Sequence, residues 1–117
     1  MRFLLMTTDD GSAPAAPPDE KLQTEMGRFI EEMSRSGVLL ATGGLEPGGT
    51  RITSSGGKVT VLDGPFAEAK ETVVGFALIE VGSREEAIEL SKRFWAIIGD
   101  GEGVIQQVFG PEDLPGQ

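Results

Sequence analysis

The groups best suited to chemistry stand close together in one stretch, Asp63-Gly64-Pro65-Phe66-Ala67-Glu68-Ala69-Lys70-Glu71. A carboxylate held in a cleft acts as a general base or a polar anchor. Asp63 and Glu68 are the candidates for that role. An ammonium flanked by carboxylates keeps its charge, so Lys70, with Glu71 beside it, can hold an anion or bridge to a second chain. The same neighbours work against a Schiff-base lysine, which needs a lowered pKa. Each residue also has a plainer reading. Asp at the start of an Asp-Gly-Pro turn accepts backbone N–H bonds, and a charged loop is most often simply solvated. Arg51, on a strand, can clamp a carboxylate through paired hydrogen bonds or can pair with one of the abundant surface acids. Thr7 and Thr8 close the first strand, where Thr8 can line a cleft or merely end the strand.

The rest of the composition narrows what these groups can do. The chain has no His, no Cys and no Tyr. The commonest general base and metal ligand is therefore missing, and disulfides and thiolate metal sites are excluded. Asp9-Asp10-Gly11 and the pair Asp100/Glu102 lack the spacing of a dedicated cation site, so no metal is expected. Gly99-Asp100-Gly101-Glu102-Gly103 has glycines like a phosphate loop, but it follows a helix and precedes a strand and carries two acids. That is the reverse of the dinucleotide-binding order, and no cofactor is expected.

A length of 117 residues suits one compact domain of modest core, which a second copy would help to bury. The net charge of −9 argues against nucleic acid and anionic membranes as partners. The opening Met1-Arg2-Phe3-Leu4-Leu5-Met6 is too short for a signal peptide. It reads as a strand, and the protein as cytoplasmic.

Positioning falls to the following elements. Arg2 to Thr7, apolar on both faces, predicts a central buried strand. A Pro-rich loop follows to Pro18. Leu22, Met26, Phe29, Ile30 and Met33 share one face of a helix over 19–36, with Gly37 as its stop and Gly27 as a point of close packing. Val38 to Thr42 is a strand. Thr50–Thr53 and Lys58–Leu62 form a hairpin about Ser54-Ser55-Gly56-Gly57. Val73 to Val81 is a buried strand. Ser83-Arg84-Glu85-Glu86 is a capping box that opens a helix to Ile98, with Phe94 and Trp95 on its core face. Val104 to Phe109 is the last strand. The domain spans 1–110, and a flexible tail occupies 111–117. The plan is an α+β core, β-α-β-β-α-β, with an inserted hairpin. Two helices on one face leave the other face of the sheet to be covered, most simply by a second copy.

The Asp63–Glu71 run, together with Gly44-Leu45-Glu46-Pro47, Gly57-Lys58-Val59, Gly75-Phe76 and Glu85-Glu86-Ala87-Ile88-Glu89, resembles the YCII-related proteins of the DGPF type over nearly the whole chain. The resemblance implies a ferredoxin-like fold that pairs into a dimeric α/β barrel, with a cleft near the dimer interface. The biochemical role of such proteins is generally unassigned; the residues themselves point to a small, anionic molecule in that cleft, with Asp63 and Glu68 as candidate catalytic groups and Lys70, Glu71, Arg51 and Thr8 as candidate ligand-binding groups. The resemblance also implies an alternative: a non-catalytic regulatory or interaction module associated with extracytoplasmic-function sigma factors. A His/Asp pair proposed as catalytic in more distant members does not carry over to a chain without His. Glu46 and the Ile98-Gly99-Asp100 stretch stand where related chains often carry His.

Overall fold

The computed structural model describes residues 1–9, 19–46, 49–63 and 72–113. In chain order the elements are β1 (Arg2–Asp9), α1 (Glu20–Arg35), β2 (Leu39–Gly44), β3 (Thr50–Ser55), β4 (Lys58–Asp63), β5 (Thr72–Glu80), α2 (Arg84–Ile98), β6 (Glu102–Val108) and a 3-10 turn at Pro111–Asp113. The architecture is α+β and compatible with a ferredoxin-like plan. β1 is central as its two-sided apolar pattern requires, with β5 and β6 antiparallel on either side. The strand order is β2-β5-β1-β6, and β3 and β4 form a separate two-stranded sheet.

Local chemistry sets the helix ends. Asp19 accepts a hydrogen bond from the Leu22 N–H at 2.7 Å, the geometry of an N-cap. Gly37, at φ 81°, supplies the left-handed residue beyond the end of α1. Ser83 Oγ accepts from the Glu86 N–H at 3.2 Å. The Glu86 carboxylate returns a bond to the Gly82 N–H at 2.9 Å, one residue earlier than the usual capping box. At the hairpin tip, Gly56 and Gly57 have φ values of 57° and 80°, as a two-residue primed turn demands. After β6, the Gly110 N–H donates to the Asp113 carboxylate at 3.0 Å and closes the 3-10 turn.

Both helices lie on one face of the four-stranded sheet. The register puts Phe3, Leu5 and Thr7 of β1 on that face, level with Ile79, Ala77 and Gly75 of β5. Phe3, Ile79, Val81 and Ala87 form the buried cluster, and Phe3 is completely enclosed. The Arg84 guanidinium lies 5.3 Å from the centroid of the Phe3 ring and roofs it. Arg93 pairs with Glu32 and lies 5.0 Å from the Phe29 ring, joining α2 to α1. Arg2 pairs with Glu80 at 3.7 Å across the β1–β5 pairing.

The molecule measures 49 × 41 × 20 Å. A thickness of 20 Å accommodates one sheet and one layer of helices. None of the described helices is long and apolar enough to cross a membrane. Gly27 does not serve close packing: a Cβ built there meets nothing within 4 Å. Gly27→Ala therefore stabilises the fold by about 0.5–1 kcal/mol. Ser83→Ala, by removing a cap, costs about 1 kcal/mol. Urea unfolding at one fixed protein concentration checks both signs.

Candidate functional site

Large residues on the helices face small ones on the sheet, and the mismatch leaves a cavity. Met26 and Phe29 of α1 and Phe94 and Trp95 of α2 form its walls. Gly75, Ala77 and Gly103 form its floor, brought side by side by the pairing of β1 with β5 and β6. The cavity volume is about 260 Å³. That is close to the lower end of the range of small-molecule pockets.

The floor is small because the register leaves little room for more. A Cβ on Gly103 would lie 2.5 Å from the Met6 carbonyl oxygen and 3.1 Å from the Trp95 ring. A Cβ on Gly101 would lie 2.5 Å from the same indole. Trp95 therefore rests on the glycine-rich entry to β6, and its ring meets Phe94 edge-on at 5.3 Å between centroids. At Gly75 a Cβ would approach the Thr7 hydroxyl at 2.8 Å. β1 and β5 slip register between Thr7 and Thr8. Such bulges re-aim side chains and recur beside functional sites.

Polar groups at the cavity are few. Thr7, Thr42 and Ser91 supply hydroxyls, and the Thr42 hydroxyl donates to the Phe76 carbonyl at 2.9 Å. No described lining residue is an acid, a base or a cation. This arrangement suits a ligand with an apolar body, oriented by hydroxyl and backbone hydrogen bonds. Among the described residues no cluster of His, Cys, Asp or Glu is grouped to hold a metal ion.

Of the residues singled out from the sequence, the described Asp63, Arg51 and Thr8 do not line this cavity. Asp63 ends β4, and its carboxylate accepts a hydrogen bond from Thr50 Oγ1 at 3.0 Å, tying the base of the hairpin. Arg51 is exposed on β3, across from Leu62. Thr8 sits on β1 paired with Val73 and Glu102. Its neighbour Thr7 lines the cavity, so the end of the first strand does border the site. Glu68, Lys70 and Glu71 lie outside the described residues, as do Gly64 to Ala67 of the same run. Phe94 and Trp95, which the helical spacing assigns to core packing, form cavity walls instead. The sequence signal for that was available: bulky residues on a helix face, set against strands whose alternate positions are Gly75, Ala77 and Gly103.

The difference between the floor glycines is measurable. Gly103→Ala drives a Cβ into backbone and destabilises by about 1–3 kcal/mol. Gly75→Ala displaces only the end of the Thr7 side chain and costs less. Trp95 is the single tryptophan, so its emission should shift in the first variant and hold in the second, with urea unfolding giving the order of stabilities.

A family model of the YCII-related domain matches residues 1–97. A similar protein is R00369, an uncharacterized protein of Rhizobium meliloti (strain 1021), 29% identical over 97 residues that make up 79% of this chain and 78% of the relative. The matched stretch holds the hairpin, β5 and nearly all of α2, and β6 lies beyond it.

Proposed function

The chain belongs to the YCII-related domain family, and from that premise we propose that it is a cytoplasmic, homodimeric small-molecule-binding protein of the DGPF branch. Its ligand occupies the cavity between the two helices and the sheet. The observation that carries this reading is the cavity itself: about 260 Å³, walled by aromatic and Met side chains and floored by Gly and Ala. An evenly packed core has few voids larger than a water molecule. The ligand has an apolar body that fits against Phe29, Phe94 and Trp95.

The acidic and basic groups of the Asp63–Glu71 run remain the candidates for any chemistry beyond binding. That run leads directly into β5, whose Gly75 floors the cavity. In this reading Asp63 or Glu68 moves a proton, and Lys70, Glu71, Arg51 and Thr8 orient an anionic group, at a cleft near the dimer interface and apart from the cavity, which Asp63, Arg51 and Thr8 do not line. The dimeric barrel is supported by the outer sheet face: Leu4, Met6, Phe76 and Leu78 stand on the side away from the described helices, and a second sheet is the natural cover. A second reading, a non-catalytic regulatory or interaction module of the sigma-factor-associated kind, is favoured by one observation. No described lining residue of the cavity is titratable.

Trp95 reports on the cavity. In a screen of neutral and weakly acidic small molecules, true ligands change Trp95 emission and raise the unfolding temperature together, since a ligand that binds only the native state stabilises it by mass action. Ala77→Leu fills the floor and should weaken such binding at least tenfold while the protein stays folded. Binding that both Ala77→Leu and Ser91→Leu leave unchanged would remove the cavity from the account. Binding without turnover of any ligand found would favour the second reading.

A further inference from the structure

The cavity between the helices and the sheet is uneven in its chemistry, and the unevenness bears on what it can hold. α1 packs beside β2, while α2 packs over β1 and β6. Polar groups gather under α2. Thr7 stands on β1 level with Gly75 on one side and Gly103 on the other. A Cβ built on Gly75 comes within 2.8 Å of the Thr7 hydroxyl, and one built on Gly103 comes within 3.1 Å of the Trp95 ring. Thr7 and Trp95 therefore approach the same strip of glycine floor. Ser91 lies one helical turn before Trp95, and both line the cavity. The Thr42 hydroxyl donates to the Phe76 carbonyl, which leaves the Thr7 and Ser91 hydroxyls to meet a ligand. The α1 side of the cavity is apolar, lined by Met26, Phe29, Ile30 and Met33.

Size, shape and charge narrow the occupant further. An apolar cavity of about 150 Å³ takes one benzene ring. A volume of about 260 Å³ scales to about ten non-hydrogen atoms, the size of two fused rings. The floor favours a flat molecule, because Gly43, Gly75 and Gly103 present backbone without side chains. Phe29, Phe94 and Trp95 offer ring faces and edges to pack against it, and Met26 and Met33 can adjust to its outline. A flexible chain of the same volume would lose rotational freedom that a rigid ring system does not have to lose. Charge is disfavoured. An ion drawn out of water needs a partner, and no described lining residue supplies one. The net charge of −9 adds to the cost for an anion.

We propose that the cavity takes a neutral, planar, bicyclic aromatic molecule carrying one hydrogen-bonding group, with the rings against the α1 side and the polar atom between Thr7 and Ser91. The inference rests on the small-molecule reading of the cavity given above and adds to it the ligand's charge, size and orientation.

The test titrates the full chain at neutral pH with four probes, followed by the magnetic resonance signals of the protein. Naphthol is neutral, bicyclic and hydroxylated. Naphthalene lacks the hydroxyl, naphthoate is an anion, and decanol is a flexible alcohol of similar size. Naphthol is expected to bind about tenfold or more tightly than naphthoate or decanol. The Thr7→Val/Ser91→Ala double variant should weaken naphthol about fivefold, the loss of a hydrogen bond, and leave naphthalene unchanged. A general loosening of the cavity would weaken both. Naphthoate or decanol binding as tightly as naphthol, with Ala77→Leu weakening each, overturns the neutral bicyclic class and leaves the cavity reading standing. Equal losses for naphthol and naphthalene in the double variant, or no loss for either, overturn the placement of the polar atom. No binding by any of the four overturns the inference alone, since the broader screen still tests the cavity. Binding that survives both Ala77→Leu and Ser91→Leu overturns the inference and the cavity reading together.

Discussion

A four-stranded sheet has two faces, and the described helices of this chain lie on only one of them. Most of what is distinctive in the molecule follows from that constraint. β1 is apolar on both faces because both must be covered, yet only Phe3, Leu5 and Thr7 meet the helices. The strictly buried apolar set among the described residues is small: Phe3, Met33, Ile79, Val81 and Ala87. A larger set stays exposed, including Leu40, Ile52, Val59, Val61, Leu62 and Val104. Since the apolar area withdrawn from water is the main term favouring a fold, a lone chain leaves much of its available stabilisation unused. The ion pairs do not make up the difference, because those at Glu31–Arg35 and Glu89–Lys92 are exposed.

The helix side carries the opposite imbalance. There the sheet is covered but incompletely filled. Phe94 and Trp95 span the gap above Gly75, Ala77 and Gly103 and leave open space between. A protein stabilised only by packing would place larger side chains on that floor. The close approaches at Gly101 and Gly103 explain why it does not: the indole and the Met6 carbonyl already occupy the room a side chain would need. The two sides of the sheet thus differ: the side away from the described helices carries exposed Val104, and the inner side encloses open space.

Much of the fold was legible in the sequence because the signals were local. The Ser83 cap, the stop at Gly37, the Gly56-Gly57 turn and the two-sided apolar pattern of β1 each act within a few residues, and each appears where expected, with strand ends moved by one or two positions, while the Asp19 cap is a finding of the structure. The cavity was much less legible. Its floor comes from residues far apart in the chain, and which of them share a face depends on strand register and on the bulge after Thr7. The turn role of Asp63 was legible as a carboxylate ahead of Gly-Pro, and the structure adds its partner, Thr50 at the hairpin base. Arg51 belongs to the same projecting element. The alternation of Ile52, Val59 and Val61 was visible in the sequence as strand character, and only the three-dimensional arrangement reveals that all three stay more than half exposed.

The central claim is that the cavity between the helices and the sheet holds a small molecule with an apolar body. Intermolecular nuclear Overhauser contacts between a bound ligand and the protein test it most directly, because Ala77 on the floor and Trp95 on the wall each carry protons that a ligand in the cavity must approach. The account predicts contacts from the ligand to the Ala77 methyl and the Trp95 ring. Contacts confined to residues outside the cavity would contradict it.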